Sequence, residues 1–266
     1  MIRVTPLSLH NEKRNFARTF ISSTRLHIQH QVARKDRTLG TTMIGAANPE
    51  ELERGVRKRI ADPAFPCVGA KSALARGTLK VLSCFSLTSN WDDLRIYRTL
   101  LKWAEDYRAT PEGLRSLAVV FQGPVLLTEE GFELAMWERL QSFADKDHWL
   151  GQIYDHRVSA NPDDPHFSLS FGGEAFFVVG LHPHASRPAR RFPSPTLIFN
   201  LHDQFEQLRE EGKYERMREK ILQRDYELAG DINPMLARHG EASEARQYSG
   251  RRVPADWRCP FRDPRA

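Results

Sequence analysis

HFSLSFGGEAFFVVGL, residues 166–181, holds two runs rich in aromatic and β-branched residues, HFSLSF and EAFFVVGL, separated by Gly172-Gly173. Two glycines at that spacing supply the positive φ angles of a tight turn, so the stretch predicts an antiparallel β-hairpin. PTLIFNL (195–201) predicts the next strand. Upstream, TLKVLSCFSL (78–87) and LAVVFQG (117–123) have the same strand composition, which makes about five strands in all.

Helical signals lie between and around these strands. Asn48-Pro49-Glu50-Glu51 reads as an N-cap, a proline at the first helical position and acids in the first turn, so a helix is expected to run to about Ala61. Between Trp91 and Tyr107, Leu94, Tyr97, Leu101 and Ala104 recur at helical spacing. Thr128-Glu129-Glu130 opens a helix with Phe132, Met136, Leu140 and Phe143 on one stripe. DQFEQLRE (203–210) and a segment from Tyr214 to Ala229, closed by Gly230, complete the set. With no internal repeat, low-complexity segment or clear linker, the expectation is one α+β domain over residues 48–266. Its sheet is mixed or mostly antiparallel and flanked by helices, a partly helical extension (1–47) precedes it, and an irregular basic tail ends it.

Composition narrows the function classes. Among the 266 residues, 40% hydrophobic and 27% charged content is that of a globular protein. No apolar run spans a bilayer and no secretory leader is evident, so a cytoplasmic protein without a membrane partner is expected. The net charge of +5 comes from interspersed acids and bases rather than a basic stripe with aromatics, which argues against nucleic acid. Three cysteines without CxxC spacing argue against a disulfide framework or zinc cluster. Homo-oligomerisation is left open.

The densest chemistry lies in GLHPHASRPARRF (180–192), which follows the most apolar strand. Prolines at 183, 188, 193 and 195 stiffen the loop. Imidazoles ligate metals and arginine forks match carboxylates or phosphates, so the loop suits a metal-bearing anion such as an iron porphyrin. A phosphate site needs only the arginines. A mononuclear metal site needs His182 and His184 with His202 or Asp203, and a surface loop paired with nearby acids needs neither ligand. Cys67, before a helix start with Lys71 one turn on, is a candidate low-pKa thiolate or an inert buried thiol. Cys259-Pro260 lies in the tail, where Trp257 and Phe261 serve as anchors, and Glu174 opens the strand that leads to His182.

FPCVGAKSAL (65–74), GEAFFVVGLHPHASRPARRF (173–192), LIFNLHDQFEQLR (197–209) and EARQYSGR (244–251) together resemble the YqcI/YcgG family, with a likeness from about Asn48 to Phe261. Some members of that family are haem-dependent enzymes that N-hydroxylate guanidino compounds, among them the pre-guanitoxin N-hydroxylase and an arginine N-hydroxylase of cycloserine biosynthesis. The resemblance implies a haem b oxygenase acting on a guanidino or amino group of a small amino-acid-like substrate. Oxygen or peroxide would be the oxidant, with a redox partner where oxygen is used. It implies His182 as axial ligand, with His202, His184, Cys67 and Cys259 as alternatives, and Arg187, Arg190 and Arg191 for the propionates. A guanidinium needs a carboxylate to hold it, and Glu174 and Glu244 are the acids nearest the family blocks. A haem carrier or sensor, and a non-haem iron or thiol enzyme, are the competing expectations.

Overall fold

The computed structural model describes residues 48–237 and 240–266; the expected N-terminal extension lies outside them. Helix α1 (Pro49–Ala61) starts as its sequence dictates, with Asn48 Oδ1 accepting a hydrogen bond from the Glu50 amide at 3.1 Å and proline at the first position. Then follow α2 (Val68–Ala75), β1 (Leu79–Ser86), α3 (Asp93–Ala109), β2 (Ser116–Gly123) and α4 (Glu129–Trp149). The second half adds β3 (Leu169–Phe171), β4 (Glu174–Leu181), β5 (Thr196–Leu201), α5 (Asp203–Glu210), α6 (Tyr214–Ala229) and the single-turn α7 (Ala245–Tyr248). The class is α+β, as expected. One five-stranded sheet runs β1-β2-β5-β4-β3, with β1 and β2 parallel and the other three pairings antiparallel.

The sheet is covered on both faces, and the strands sort their side chains by the two-residue period of extended chain. Leu117, Val119 and Phe121 of β2 join Phe176, Val178, Leu197 and Phe199 in a core packed under α3 and α4. Ala118 and Val120, with Leu181 and Ile198, face the other way against Val56, Ile60 and Ala73 of α1 and α2. Burying one Phe or Ile side chain is worth about 1.5–3 kcal/mol, so these two cores carry most of the stabilisation.

The hairpin forms, but its first strand is shorter than HFSLSF. Asp164 captures that segment in a turn: its side chain accepts from the His166 amide at 2.8 Å and its carbonyl from the Phe167 amide at 3.0 Å. Ladder pairing therefore begins only at Leu169, opposite Phe176. Gly172 and Gly173 carry the turn at φ values of +60° and +79°, a region side chains disfavour.

Beyond α7 the basic tail is irregular, as expected, and is bound to the body. Trp257 and Phe261 pack on Trp137, with centroids 6.5 and 6.0 Å away. Arg265 Nη1 meets the fully buried Asp147 at 2.5 Å, and Tyr97 and the Gly172 amide also donate to that carboxylate. Breaking such a buried pair typically costs about 3–5 kcal/mol, so the C-terminus is structural. No helix among the described residues is long and apolar enough to cross a membrane.

At Gly180 the Phe132 side chain of α4 and the backbone of Tyr248 press close on β4. A Cβ built there would lie 2.7 Å from Phe132 Cε1 and 3.0 Å from the Tyr248 carbonyl oxygen. Replacing Gly180 with Ala is expected to lower stability by about 1–3 kcal/mol through overpacking, read as a lower urea midpoint at constant m. An unshifted midpoint would show that the two layers can move apart at no cost.

Candidate functional site

The face of the sheet toward α2 and α6 is not filled. Two adjoining cavities lie there, an outer one of about 200 Å3 and an inner one of about 190 Å3, with Cys67, Phe177, Val179, Asn200 and Ile221 lining both. The gap follows from the residues at the strand ends. Ser116 and Asn200, opposite each other on β2 and β5, bond side chain to side chain at 2.7 Å where a larger apolar pair would fill the layer. Phe205 and Met217 help enclose the outer cavity.

His202, the residue after β5, lines the outer cavity and is 6% exposed. Its backbone amide donates to the Ala175 carbonyl at 2.8 Å, which ties it to β4. Both ring nitrogens are held: Nδ1 lies 3.3 Å from Ser168 Oγ and Nε2 3.0 Å from Glu206 Oε1. Ser168 Oγ also lies 3.3 Å from Glu244 Oε2, and Glu244 lines the same cavity. Glu206 has a second partner in Arg209. A buried imidazole, a hydroxyl and a carboxylate thus stand in sequence on an otherwise largely apolar wall. Such an arrangement can ligate a metal centre through the ring and hold a cationic group through the acid.

The other expected site residues are dispersed. His182 is 1% exposed but lies on the opposite face of the sheet, stacked on Phe132 with centroids 4.4 Å apart, and lines neither cavity. Its Nδ1 is buried without a partner, and burial pulls its pKa from 6.5 down to about 4, so the ring is neutral at physiological pH. His184 is exposed. Glu174 sits at the far end of β4 from His182, where Arg157 Nη2 binds it at 2.8 Å. Burial raises the Glu174 pKa despite that guanidinium, and the side chain lines neither cavity.

The arginine run divides three ways. Arg187 pairs with Asp225 and Asp231, Arg190 donates to backbone carbonyls, and Arg191 bonds the carbonyls of Ala185 and Ser186 in its own loop. Arg187 and Arg190 line the inner cavity.

Of the two readings of Cys67, the structure favours the buried thiol. The thiol does cap α2, accepting from the Ala70 amide at 3.4 Å, but burial outweighs that bond and raises its pKa. Lys71 gives no help, because its ammonium bonds the carbonyls of Asp62 and Pro63. Cys259 packs against the Trp137 core, where burial pushes the thiol up to about 12. Sequence reasoning missed Ser168, the link between His202 and Glu244. Its position in a run of alternating Ser and apolar residues reads as solvent-facing, yet it is fully buried.

Comparison with known proteins bears on what this site serves. The model of the YqcI/YcgG family matches residues 56–262, so the chain belongs to that family. It is 27% identical over 195 residues to the uncharacterized protein YqcI of Bacillus subtilis (strain 168), which covers 69% of this chain and 74% of that protein. No solved structure gives a significant match.

The orphaned His182 has a thermodynamic signature. Its folded pKa of about 4 lies below the unfolded 6.5, so the unfolded chain binds more protons between those values. Stability is therefore full above pH 6.5 and falls as the pH drops toward 4, by on the order of 3 kcal/mol from this group. His182→Phe is expected to flatten that part of the stability profile measured by urea unfolding. An unchanged slope between pH 4 and 6.5 would mean the ring finds a proton acceptor.

Proposed function

From membership of the YqcI/YcgG family, we propose that the protein is a haem-dependent oxygenase that N-hydroxylates a guanidino or amino group of a small amino-acid-like substrate. The observation that carries this reading is the buried His202, joined through Ser168 to Glu244, at the wall of a largely apolar cavity.

The residues present fit a haem. A porphyrin brings four nitrogens of its own and asks the protein for one axial ligand and an apolar enclosure. Among the described residues no group of three or more His, Cys, Asp or Glu side chains is placed to hold a metal ion directly, which leaves a non-haem iron centre without a ligand set. His202 would hold the haem iron in this reading, because its imidazole lines the cavity; His182 is neutral and its Nδ1 unpartnered, but it faces the other core. Release of Nε2 from Glu206 leaves that carboxylate with Arg209, while Ser168 continues to orient the ring through Nδ1. Cys67 reaches the cavity as well, but its raised pKa keeps it a thiol.

When bound, haem supplies the oxidising chemistry, with oxygen or peroxide as co-substrate. The protein supplies position. Glu244 accepts hydrogen bonds from the substrate's protonated guanidino or amino group and holds one nitrogen at a defined place, a charge-assisted contact stronger than a neutral one. Phe177, Val179 and Phe205 keep water from that nitrogen. Neither the thiol enzyme nor the non-haem iron enzyme finds comparable support.

Purified protein reconstituted with haem is expected to show a Soret band that His202→Ala abolishes and His182→Ala retains. The reverse result would move the ligand role to His182, and no haem uptake by the wild type would sink the reading. Incubation with guanidines and either peroxide or oxygen plus reductant should add one oxygen by mass. Glu244→Gln is expected to lower kcat/KM by about 100-fold while leaving the Soret band unchanged.

A further inference from the structure

The inner cavity carries a charge that the reading above does not use. Its wall includes Arg187, Arg190 and Asp225. Arg187 is matched, with Nε 3.1 Å from Asp225 Oδ2 and a second contact to Asp231. Arg190 has no such match. Its guanidinium is half-buried, and it donates only to backbone carbonyls: Nη1 to Gly180 at 3.1 Å and Tyr248 at 3.4 Å, and Nη2 to Gln247 at 3.1 Å. Among the described residues its Nε–H and one Nη2 hydrogen meet no acceptor, and no carboxylate lies within ion-pair distance.

The fold holds this arm in place. Gly250, at φ +83°, leaves room for its stem, since a Cβ there would lie 3.0 Å from Arg190 Cγ and 3.4 Å from Nε. Around it the cavity is apolar, with Phe65, Leu181, Ile198 and Ile221 in the wall. The acid that acts on it across the cavity, Asp225, is already bound to Arg187, so a fixed guanidinium on this largely apolar wall is poorly matched unless a ligand brings a further negative charge. The cost is visible in its acidity, which burial shifts from 12.5 to about 10.

We propose that Arg190 is the carboxylate anchor of this cavity, binding the carboxylate of a bound ligand through its unused donors. The proposal deepens the functional reading and rests on it only for which ligand brings the carboxylate, a substrate or the propionate of a haem. Carboxylate chemistry is common to both. Arginine is suited to this work because its fork meets both carboxylate oxygens and stays charged even when buried.

The test uses two ligand pairs that differ in the carboxylate alone: arginine against agmatine, titrated calorimetrically into the haem-free full chain, and haem against its dimethyl ester, followed by absorption. In the wild type, at least one pair should favour the carboxylate form by about tenfold or more. Arg190→Gln should erase that preference without weakening the carboxylate-free partner, and Arg190→Lys, which keeps the charge without the fork, should retain part of it. Should Arg190→Gln not fold, Arg190→Lys carries the comparison. A preference in the arginine pair identifies the substrate as the source; a preference in the haem pair identifies the propionate. Equal binding within both pairs, or a preference that survives Arg190→Gln, overturns the anchor. Arginine selectivity in a protein that takes up no haem would sink the oxygenase reading and leave the anchor standing.

Discussion

Everything in this molecule depends on a sheet buried on both faces, whose strands must alternate their side chains between two separate cores. Once β4 puts Phe176 and Val178 under α4, Phe177 and Val179 must face α6, and every later residue on the strand inherits its side. Gly180 lets α4 approach, and His182 follows it to the same face and stacks on Phe132. On β5 the same rule sends Phe199 to one core and Asn200 to the cavity. Slipping either strand by one residue would exchange the contents of core and cavity, so register and site are one constraint.

The charges near the cavity act through scaffolding as much as by contact. Glu174 does not reach the cavity, but it holds Arg157, whose Nη1 binds Asp203 at 2.8 Å. Tyr107 donates to the same Asp203 carboxylate at 2.6 Å. Asp203 opens α5, where a negative charge suits the helix dipole, and its neighbour is His202. A chain of polar contacts, partly open to solvent at Arg157, thus fixes the helix start that presents the imidazole. Glu174 belongs to this support, which explains why an acid in a family block lies away from the cavity.

The fold was legible because its signals are local. Gly172-Gly173 demands a turn, Asn48-Pro49 a helix start, and β-branched runs a strand, and none of these depends on distant residues. The site was legible in its residues and not in its grouping. His202 and Glu244 stand 42 positions apart and are joined through Ser168 of a third segment, so no spacing announces them. His182 lay in the denser motif, and only the strand parity that puts it against Phe132 separates it from the cavity. At Cys67 the helix start that lowers a thiol pKa was readable locally, whereas the burial that raises it more, and decides for the inert thiol, is tertiary.

The two cavities share part of one wall but differ in the charges they carry. The outer one carries Glu244 and His202 and the inner one Arg190, and apolar residues such as Val179 and Ile221 line both. In the proposed reading Glu244 takes the cationic group of a ligand and Arg190 its carboxylate, with these apolar residues between them. A guanidino amino acid has that polarity. If instead a haem propionate occupies Arg190, the cationic substrate is left with Glu244 alone, and selection among guanidines then falls to the shape of the outer wall at Phe205 and Met217. In that reading Arg190 decides whether the protein would recognise both ends of a substrate or only the cationic one.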